Sequence, residues 1–342
     1  MIWIYSIVAI LVLGIGVYVW IFYPQQLIDP KTILPVEVTT PEPEKYHNDV
    51  LHPCIRKMSN GKYVMVQSPW YKCQDGIENP ILYISDDPMY WDNGIVVEDT
   101  PAKGYNSDPN VFVEGNRIYV FWREWHTPFC EEHGVLRAIV GVYTEDEGLS
   151  FSNKRIYFTD NDRKAVNEIC PILIKRGEIY RFYCTWYSMH PRQNEGVAIW
   201  EGSSIEEPDF KLIKRTPFKT KYICDKYKQL QIFGKNIFLP MPHKFDLWHF
   251  DLLEKDGTLY MIASEEMKDV VMIAESDDWE NFKLHRKPLI NAHSMENTLG
   301  YRQSYYKPTA IKYGKRVMLF ITANPKENGY AHNLFMTEMN II

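Results

Sequence analysis

Polar side chains recur at the starts of five short, strand-like runs of this 342-residue sequence. They are His52 of HPC, Asp108 of YNSDP, Glu168 of NEICP, His249 and Asp251 of WHFD, and Arg302 and Ser304 of YRQS. If the fold brings these groups together, they form a candidate site for a polyhydroxyl or anionic ligand. Whether they meet depends on how the five runs are arranged.

An internal repeat indicates that arrangement. A turn followed by a second strand-like run recurs with glycines at Gly61, Gly115, Gly177, Gly257 and Gly314, at intervals of 54, 62, 80 and 57 residues. A further strand-like run follows each of these hairpins. Such a unit at this spacing is typical of a four-stranded propeller blade. We therefore predict an all-β, five-bladed β-propeller with four-stranded antiparallel blades over residues 46–342, with an insertion at about 206–246.

In a propeller the first strand of each blade lines the central channel, so the starts of these strands converge at one mouth. Glu78 and Asn79 of ENP can reach the same mouth, and Trp186 is a candidate ring for stacking on a sugar. Each of these assignments has a structural alternative, since Asp or Asn before Pro commonly caps a turn and aromatic rings pack between blades. The loop histidines show no regular ligand spacing, so the sequence predicts no metal site and no cofactor.

The succession HP, ENP-x(4)-SDD-x(3)-W, YNSDP, CP, WHFD and YRQS resembles the five-bladed propellers of the arabinanase/levansucrase/invertase superfamily, near glycoside hydrolase families 43 and 32. The resemblance runs from about His52 to Ile342, and ENP, YNSDP and WHFD together carry it. It implies a funnel-shaped active site whose acidic side chains cleave a glycosidic bond. A carbohydrate is the substrate that this resemblance implies.

Glycoside hydrolysis requires two carboxyl groups that flank the scissile bond. By analogy with the family, Asp108 is the predicted base and Glu168 the predicted acid, with Asp251 as a third carboxylate that orients them or shifts a pKa. The remaining polar and aromatic groups are predicted to bind the substrate, namely His52, Glu78, Asn79, Trp186, His249, Arg302 and Ser304.

One departure from the family leaves a second function open. Family 43 enzymes have an Asp at the head of the first inner strand, where this chain has His52, and Asp49 is near but out of register. Either Asp108 has taken over the base role, or the chain is a catalytically inactive propeller that binds a glycan or a protein partner.

Charge divides the chain into two parts. No Asp, Glu, Lys or Arg precedes Asp29, and every residue from Ile2 to Tyr23 is apolar, aromatic, Gly or Ser. A helix of this length spans about 33 Å, enough for a hydrocarbon core of about 30 Å. We therefore predict a single-pass transmembrane anchor at 1–23, rather than a cleaved signal peptide, and a Pro-rich tether at 24–45.

The sequence gives less direct information on the orientation of the protein in the membrane and on its partners. The few lysines after the anchor weakly favour a cytoplasmic domain, whereas the implied function favours an extracytoplasmic one. The net charge is −6 and no run is rich in Lys or Arg, which argues against nucleic acid as a partner.

Overall fold

The computed structural model describes residues 12–14, 16 and 27–340, apart from gaps at 160–165, 190–191, 218–221, 233–234, 266–269, 286, 292–300, 303–304 and 326–330. Most of the regular structure in this part of the chain is β-strand. The α-helices are Pro43–Tyr46 and Pro128–Glu132, and single 3₁₀ turns lie at Pro30–Thr32, Tyr71–Cys73 and Asp75–Ile77.

Five antiparallel sheets form the blades, and the strands of each blade run in order from the inner to the outer one. Blade 1 consists of Cys54–Lys57, Tyr63–Gln67, Ile81–Ser85 and Ile95–Val96, and blade 2 of Tyr105–Glu114, Arg117–Trp125, Arg137–Thr144 and Arg155–Phe158. Blade 3 consists of Val166–Arg176, Ile179–Met189, Arg192–Gly202 and Lys211–Pro217, and blade 4 of Leu247–Lys255, Thr258–Glu265, Val270–Ser276 and Lys283–Leu284. Blade 5 consists of Thr309–Tyr313, Arg316–Pro325, Asn333–Met339 and Leu34–Pro35.

The inner strands close a ring. Each contacts the inner strand of the next blade, and that of blade 5 contacts that of blade 1. Shorter strands pair outside the four-stranded order of the blades. Ile290–Asn291 pairs with the third strand of blade 4 and Tyr301–Arg302 with the second strand of blade 5, while Glu37–Val38 and Tyr90–Trp91 form a separate two-stranded parallel sheet. The structure confirms the predicted all-β, five-bladed propeller with four-stranded antiparallel blades.

The hydrophobic core lies largely between neighbouring blades. Phe121 of blade 2 meets Phe182 of blade 3 edge to face, with ring centroids 5.0 Å apart. Phe158 of blade 2 stacks on Trp200 of blade 3 at 4.4 Å. Aromatic pairs of this kind contribute about 0.5–1.5 kcal/mol beyond the area they bury. Much of the aromatic content of the sequence therefore stabilises the packing of one blade on the next.

The N-terminal segment completes blade 5. Leu34 and Pro35 pair with Met336 and Phe335 as the outer strand, and a proline is tolerated at such an edge. Ile33 is 3% exposed and packs in the core around blades 4 and 5. The sequence pattern placed these residues in a tether between anchor and domain. The structure moves that boundary, because from Leu27 onward the segment is hydrogen-bonded to the propeller.

The predicted insertion contains a β-hairpin formed by Tyr222–Ile232 and Lys235–Lys244. The earlier part of the predicted interval includes Lys211–Pro217, which is the outer strand of blade 3. The placement of the insertion over one face of the propeller stays a prediction.

Among the described residues, no helix is long and apolar enough to cross a membrane. Most of the predicted anchor, residues 1–23, lies outside them. Only residues 12–14 and 16 of that segment are described, and all four are helical. The transmembrane helix therefore stays a prediction.

Packing of the N-terminal segment can be tested at two adjacent residues. Ile33→Ala should lower the free energy of unfolding by about 2–5 kcal/mol, because it leaves a cavity in the core. Leu34→Ala is the matched control, since Leu34 is 50% exposed, and it should change the free energy by less than about 0.5 kcal/mol. Urea denaturation followed by tryptophan fluorescence measures both. Equal effects of the two substitutions would contradict the docking of this segment.

Candidate functional site

The inner strands of blades 2, 3 and 4 each begin with a break in register. The breaks lie between Ser107 and Asn110, between Ile169 and Ile172, and between Leu247 and Phe250. In blades 2 and 3 the break contains a residue in the left-handed region directly before a proline, at Asp108 with φ 55° and at Cys170 with φ 57°. Bulges re-aim side chains, and strained residues of this kind cluster at functional sites.

The start of each inner strand contributes one buried side chain, and these five residues occupy equivalent positions in the five blades. Four of the five directly precede a proline, and none is more than 2% exposed; they are His52, Asp108, Cys170, His249 and Lys307. Lys307 Nζ donates to the carbonyl of Pro109, 2.8 Å away, and Cys170 Sγ to that of Phe250. The other three side chains turn toward one another.

His52 and His249 face the same carboxylate oxygen. His52 Nε2 lies 3.4 Å from Asp108 Oδ1, and His249 Nδ1 lies 3.7 Å from it. On its other side, His52 Nδ1 hydrogen-bonds Ser68 Oγ at 2.8 Å and lies 3.3 Å from Glu78 Oε1. We call the four residues His52, Glu78, Asp108 and His249 the mouth cluster.

Asp108 and Glu78 are joined by one hydroxyl. Ser107 Oγ lies 2.6 Å from Glu78 Oε1 and 3.2 Å from Asp108 Oδ2. Arg123 Nε lies 3.1 Å from the same Asp108 oxygen. The distance between Glu78 Oε1 and Asp108 Oδ2 is therefore at most the sum of their two distances to Ser107 Oγ. The two carboxyl groups form a close pair, one of whose members also contacts a buried guanidinium.

Burial and charge set the protonation of the cluster. Burial, and then the charge of Asp108, raise the pKa of Glu78 well above its usual value. Burial lowers the pKa of His52 well below its usual value and that of His249 to about 3. At neutral pH the cluster therefore contains two neutral imidazoles, and its environment favours the protonated form of the Glu78 carboxyl group. A carboxyl group of this kind can donate a proton to a reacting group.

Glu168, the predicted acid, lies beside a different set of partners. Its carboxylate accepts a hydrogen bond from Trp200 Nε1 at 2.7 Å and another from Arg215 Nη2 at 3.1 Å. A cavity of about 10 Å³, large enough for roughly one water, is lined by Glu168 and by Arg123. Among the described residues, the carboxyl group that contacts Asp108 through Ser107 is not that of Glu168 but that of Glu78, which was predicted to bind substrate. The catalytic role of Glu168 stays a prediction.

Asp251, the predicted third carboxylate, has a structural environment. Arg56 donates to both of its oxygens, at 2.6 and 2.8 Å, and Thr309 Oγ1 and Ala310 N donate to one of them at 2.6 and 3.0 Å. Burial alone would raise its pKa, but Arg56 and these hydrogen bonds lower it below the usual value. Since Asp251 is 1% exposed and both of its oxygens accept hydrogen bonds, its role is to join neighbouring blades rather than to contact a ligand at the mouth.

The remaining predicted binding residues are not brought into the mouth cluster by any described contact. Asn79 donates to Tyr46 and Asp99 and accepts from Thr100 N, which uses both its amide nitrogen and its oxygen. Trp186 is half-buried against the core of blades 2 and 3. The backbone of Arg302 pairs with blade 5, while its side chain and the whole of Ser304 lie outside the described residues.

Several contributors to the site were not predicted from the sequence. Ser107 lies inside the YNSDP motif, and Lys307 is the residue before proline in the fifth repeat. Aligning the five repeats at these positions would therefore have indicated both residues. Ser68 and Arg123 follow or end second strands and carry no distinguishing signal. Asp49, which precedes the first inner strand out of register, accepts hydrogen bonds from Trp70 N and His332 N and is fully buried.

Neither a scan against protein-family models nor a search of curated proteins finds a match. Solved structures do match. An N-acetylgalactosamine deacetylase from F. plautii, in complex with blood group B trisaccharide, is 12% identical, with 92% of this chain and 93% of that chain covered and a TM-score of 0.62. An exo-1,5-α-L-arabinanase from a bovine ruminal metagenomic library is 13% identical, with coverage of 86% and 94% and a TM-score of 0.54.

A third match is the family 32 β-fructofuranosidase of Bombyx mori, solved in complex with sucrose. It is 11% identical over 92% of this chain and 64% of that chain, with a TM-score of 0.58. Identities this low establish similarity of fold. The fold of this chain is therefore the five-bladed propeller that glycoside hydrolase families 43 and 32 share, as the sequence motifs indicated.

The structural role of Asp251 predicts a loss of stability on substitution. Asp251→Asn should lower the free energy of unfolding by about 3–5 kcal/mol, because it leaves the Arg56 guanidinium buried without a counter-charge. Asp277→Asn, at an exposed turn of the same blade, is the control and should change stability by less than about 0.5 kcal/mol. Urea denaturation of both variants is the measurement. Unchanged stability in Asp251→Asn would contradict this role.

Proposed function

We propose that this protein is a hydrolase that acts on a carbohydrate at the mouth cluster. The observation that carries the proposal is the close pair of buried carboxyl groups, Glu78 and Asp108, which meet at Ser107 beside two imidazoles. One carboxyl group whose pKa is raised and one beside Arg123 suit the two roles that hydrolysis of a sugar linkage requires. The similar folds of an arabinanase and a β-fructofuranosidase support a carbohydrate substrate.

The aromatic rings around the cluster support the same substrate class. The Tyr306 ring packs against both imidazoles, with centroids 5.0 Å from that of His52 and 4.9 Å from that of His249. The Trp70 ring lies 6.5 Å from the Tyr306 ring, and both residues are half-buried. Half-buried aromatic faces next to polar groups suit stacking against a sugar ring. We propose these two rings, rather than Trp186, as the sugar-facing surface.

Cleavage of a glycosidic bond is the first candidate reaction. In this reaction Glu78 protonates the leaving oxygen and Asp108 attacks the anomeric carbon. The contacts through Ser107 bring the two carboxyl groups closer than the about 6.5–9.5 Å that an inverting enzyme needs to hold a water between them. Cleavage should therefore retain the anomeric configuration, which proton NMR of the first product formed can establish.

Removal of an acyl substituent from a sugar is the second candidate reaction. Two observations favour it: the imidazoles that flank Asp108, and the similarity of fold to an N-acetylgalactosamine deacetylase over nearly the whole of both chains. The products would then be a carboxylic acid and a sugar whose glycosidic bonds are intact. A propeller that only binds its ligand would yield neither kind of product.

Substitution of Glu78 tests the proposed function. The wild-type protein should release reducing sugar or free carboxylic acid from at least one member of a panel of plain and acylated oligosaccharides. Glu78→Gln should lower kcat by about 10²–10⁴-fold, because the amide cannot transfer the proton.

Glu254→Gln is the matched control. Glu254 pairs with Lys312 at the other end of the inner strands, where the five strand ends line a cavity of about 770 Å³. This variant should keep wild-type kcat, and thermal unfolding should show both variants folded. Undiminished turnover in Glu78→Gln, or binding without any product in the wild type, would contradict the proposed function.

We also propose that residues 1–23 anchor the protein in a membrane as a single-pass helix, with the propeller on the extracytoplasmic side. The uninterrupted apolar run supports the anchor, and access to an external glycan supports the orientation. The full chain should remain in the membrane pellet after carbonate washing, whereas a chain that lacks residues 1–23 should be released. Protease added to intact cells should cleave the propeller of the full chain. Protection of the propeller would contradict the orientation.

A further inference from the structure

Three imidazole nitrogens of the mouth cluster have no hydrogen-bond partner among the described residues. They are His52 Nε2 and both ring nitrogens of His249, and all three are buried. An unpaired buried polar atom is destabilising, so several in one place indicate a ligand that satisfies them. Such a ligand either accepts a hydrogen bond from the N–H of a neutral imidazole or takes up the electron pair of the other ring nitrogen, as a proton donor or a metal ion does.

One nitrogen from each imidazole and one carboxylate oxygen lie close together. Candidate ligand atoms of His52, Asp108 and His249 all lie within 4.8 Å of one another. The two separations to Asp108 Oδ1 are 3.4 and 3.7 Å. Ligand atoms about 2.0–2.2 Å from a tetrahedral ion lie about 3.3–3.6 Å from each other. The first separation falls within this range and the second is close to it, so small side-chain shifts would bring these atoms into the first coordination sphere of a metal ion.

The atoms on the other sides of His52 and Asp108 are held in place. His52 Nδ1 is fixed by Ser68 Oγ, with Glu78 Oε1 3.3 Å away, which leaves Nε2 to face the cluster. Asp108 Oδ2 contacts Ser107 Oγ and Arg123 Nε, which leaves Oδ1 to face it. Metal-binding histidines and carboxylates are oriented by outer contacts of this kind. These outer contacts are typical of a preorganised metal site and are not expected where polar groups are close together by chance.

We propose that His52, Asp108 and His249 bind one divalent transition-metal ion at the mouth of the propeller. Two imidazoles and one carboxylate suit Zn²⁺, Mn²⁺, Fe²⁺ or Co²⁺ better than Ca²⁺ or Mg²⁺, which prefer oxygen ligands. Three protein ligands leave a coordination position for water or substrate, as catalytic metal sites do. The three ligands come from blades 1, 2 and 4.

The charges around the site allow a divalent ion. Arg123 and Lys307 bring two positive charges near Asp108, one at its second oxygen and one at the carbonyl of the next residue. Asp108 carries one negative charge, and loss of the Glu78 proton on binding of the ion would add a second. With both carboxyl groups ionised, the charges of these four side chains sum to zero and do not repel the ion.

The role of this ion in catalysis rests on the proposed function, whereas its binding does not. An Asp108 that ligates a metal is not free to attack an anomeric carbon, so a metal-loaded cluster favours removal of an acyl substituent. In that reaction water adds its oxygen to the acyl carbon and the bond from this carbon to the sugar nitrogen or oxygen breaks. One proton of the water passes by way of Glu78 to the leaving atom.

Metal content and affinity test the site directly. The full chain, purified in detergent without a polyhistidine tag, should contain about one transition-metal ion per chain by inductively coupled plasma mass spectrometry. After chelation, titration with Zn²⁺, Mn²⁺ and Co²⁺ should restore one ion. A concentration about 100 times Kd should raise Tm by about 4 °C. Ca²⁺ at the same concentration should not raise it.

Variants separate this site from adventitious binding. Asp108→Asn and His249→Asn should each weaken binding by about 100-fold or more, because each removes a ligand. His126→Asn, an exposed histidine outside the cluster, is the control and should bind as the wild type does. Equal binding by the wild type and the two ligand variants would overturn the proposal, as would a wild type that binds no ion.

A spectroscopic measurement on the wild type keeps the test independent of variant folding. The absorption spectrum of the Co²⁺-loaded protein should show bands of cobalt with nitrogen and oxygen ligands. A spectrum identical to that of aqueous Co²⁺ would overturn the proposal. Hydrolysis at an undiminished rate after complete metal removal would refute the catalytic role of the ion and leave the proposed function standing. Stoichiometric binding without any hydrolysis would support the site and contradict the proposed function.

Discussion

The carboxylate of Asp251 holds three blades together at the axis of the propeller. It belongs to blade 4, accepts both branches of the Arg56 guanidinium from blade 1, and accepts a hydroxyl and a backbone N–H from Thr309 and Ala310 of blade 5. A buried ion pair of this kind adds little net stability over an apolar packing, but it is costly to break and it specifies one arrangement. The register of these inner strands, and hence the positions of His52 and His249, depends on it.

The buried polar side chains described above are of two kinds: those whose oxygens accept hydrogen bonds within the propeller, and those that keep an unpaired polar atom. Asp251, Asn79 and Asp49 are buried and have their oxygens occupied by donors from distant parts of the chain. His52 and His249 are equally buried, yet they keep unpaired nitrogens. Burial alone therefore does not distinguish the imidazoles of the mouth cluster from the polar residues that hold the blades together.

The repeat in the sequence was sufficient to predict the blades, because a blade is a local unit with its own period and turns. It also predicted that blade starts converge, which placed His52, Asp108 and His249 at the same mouth. The sequence indicated that Glu78 can reach this mouth, but it could not predict that Glu78 contacts Asp108 through Ser107, because that contact depends on the break in register after Ser107. The partner of Asp251 could not be predicted either, because Arg56 lies 195 residues away.

The docking of the N-terminal segment determines how far the propeller could stand from a membrane. If residues 1–23 span the bilayer, three residues, 24–26, separate the span from Leu27, whose N–H donates to the carbonyl of Pro288 in blade 4. Three residues, however arranged, reach at most about 11 Å. The side of blade 4 that Leu27 contacts would then lie close to the lipid surface, which would restrict how the propeller can be oriented on the membrane.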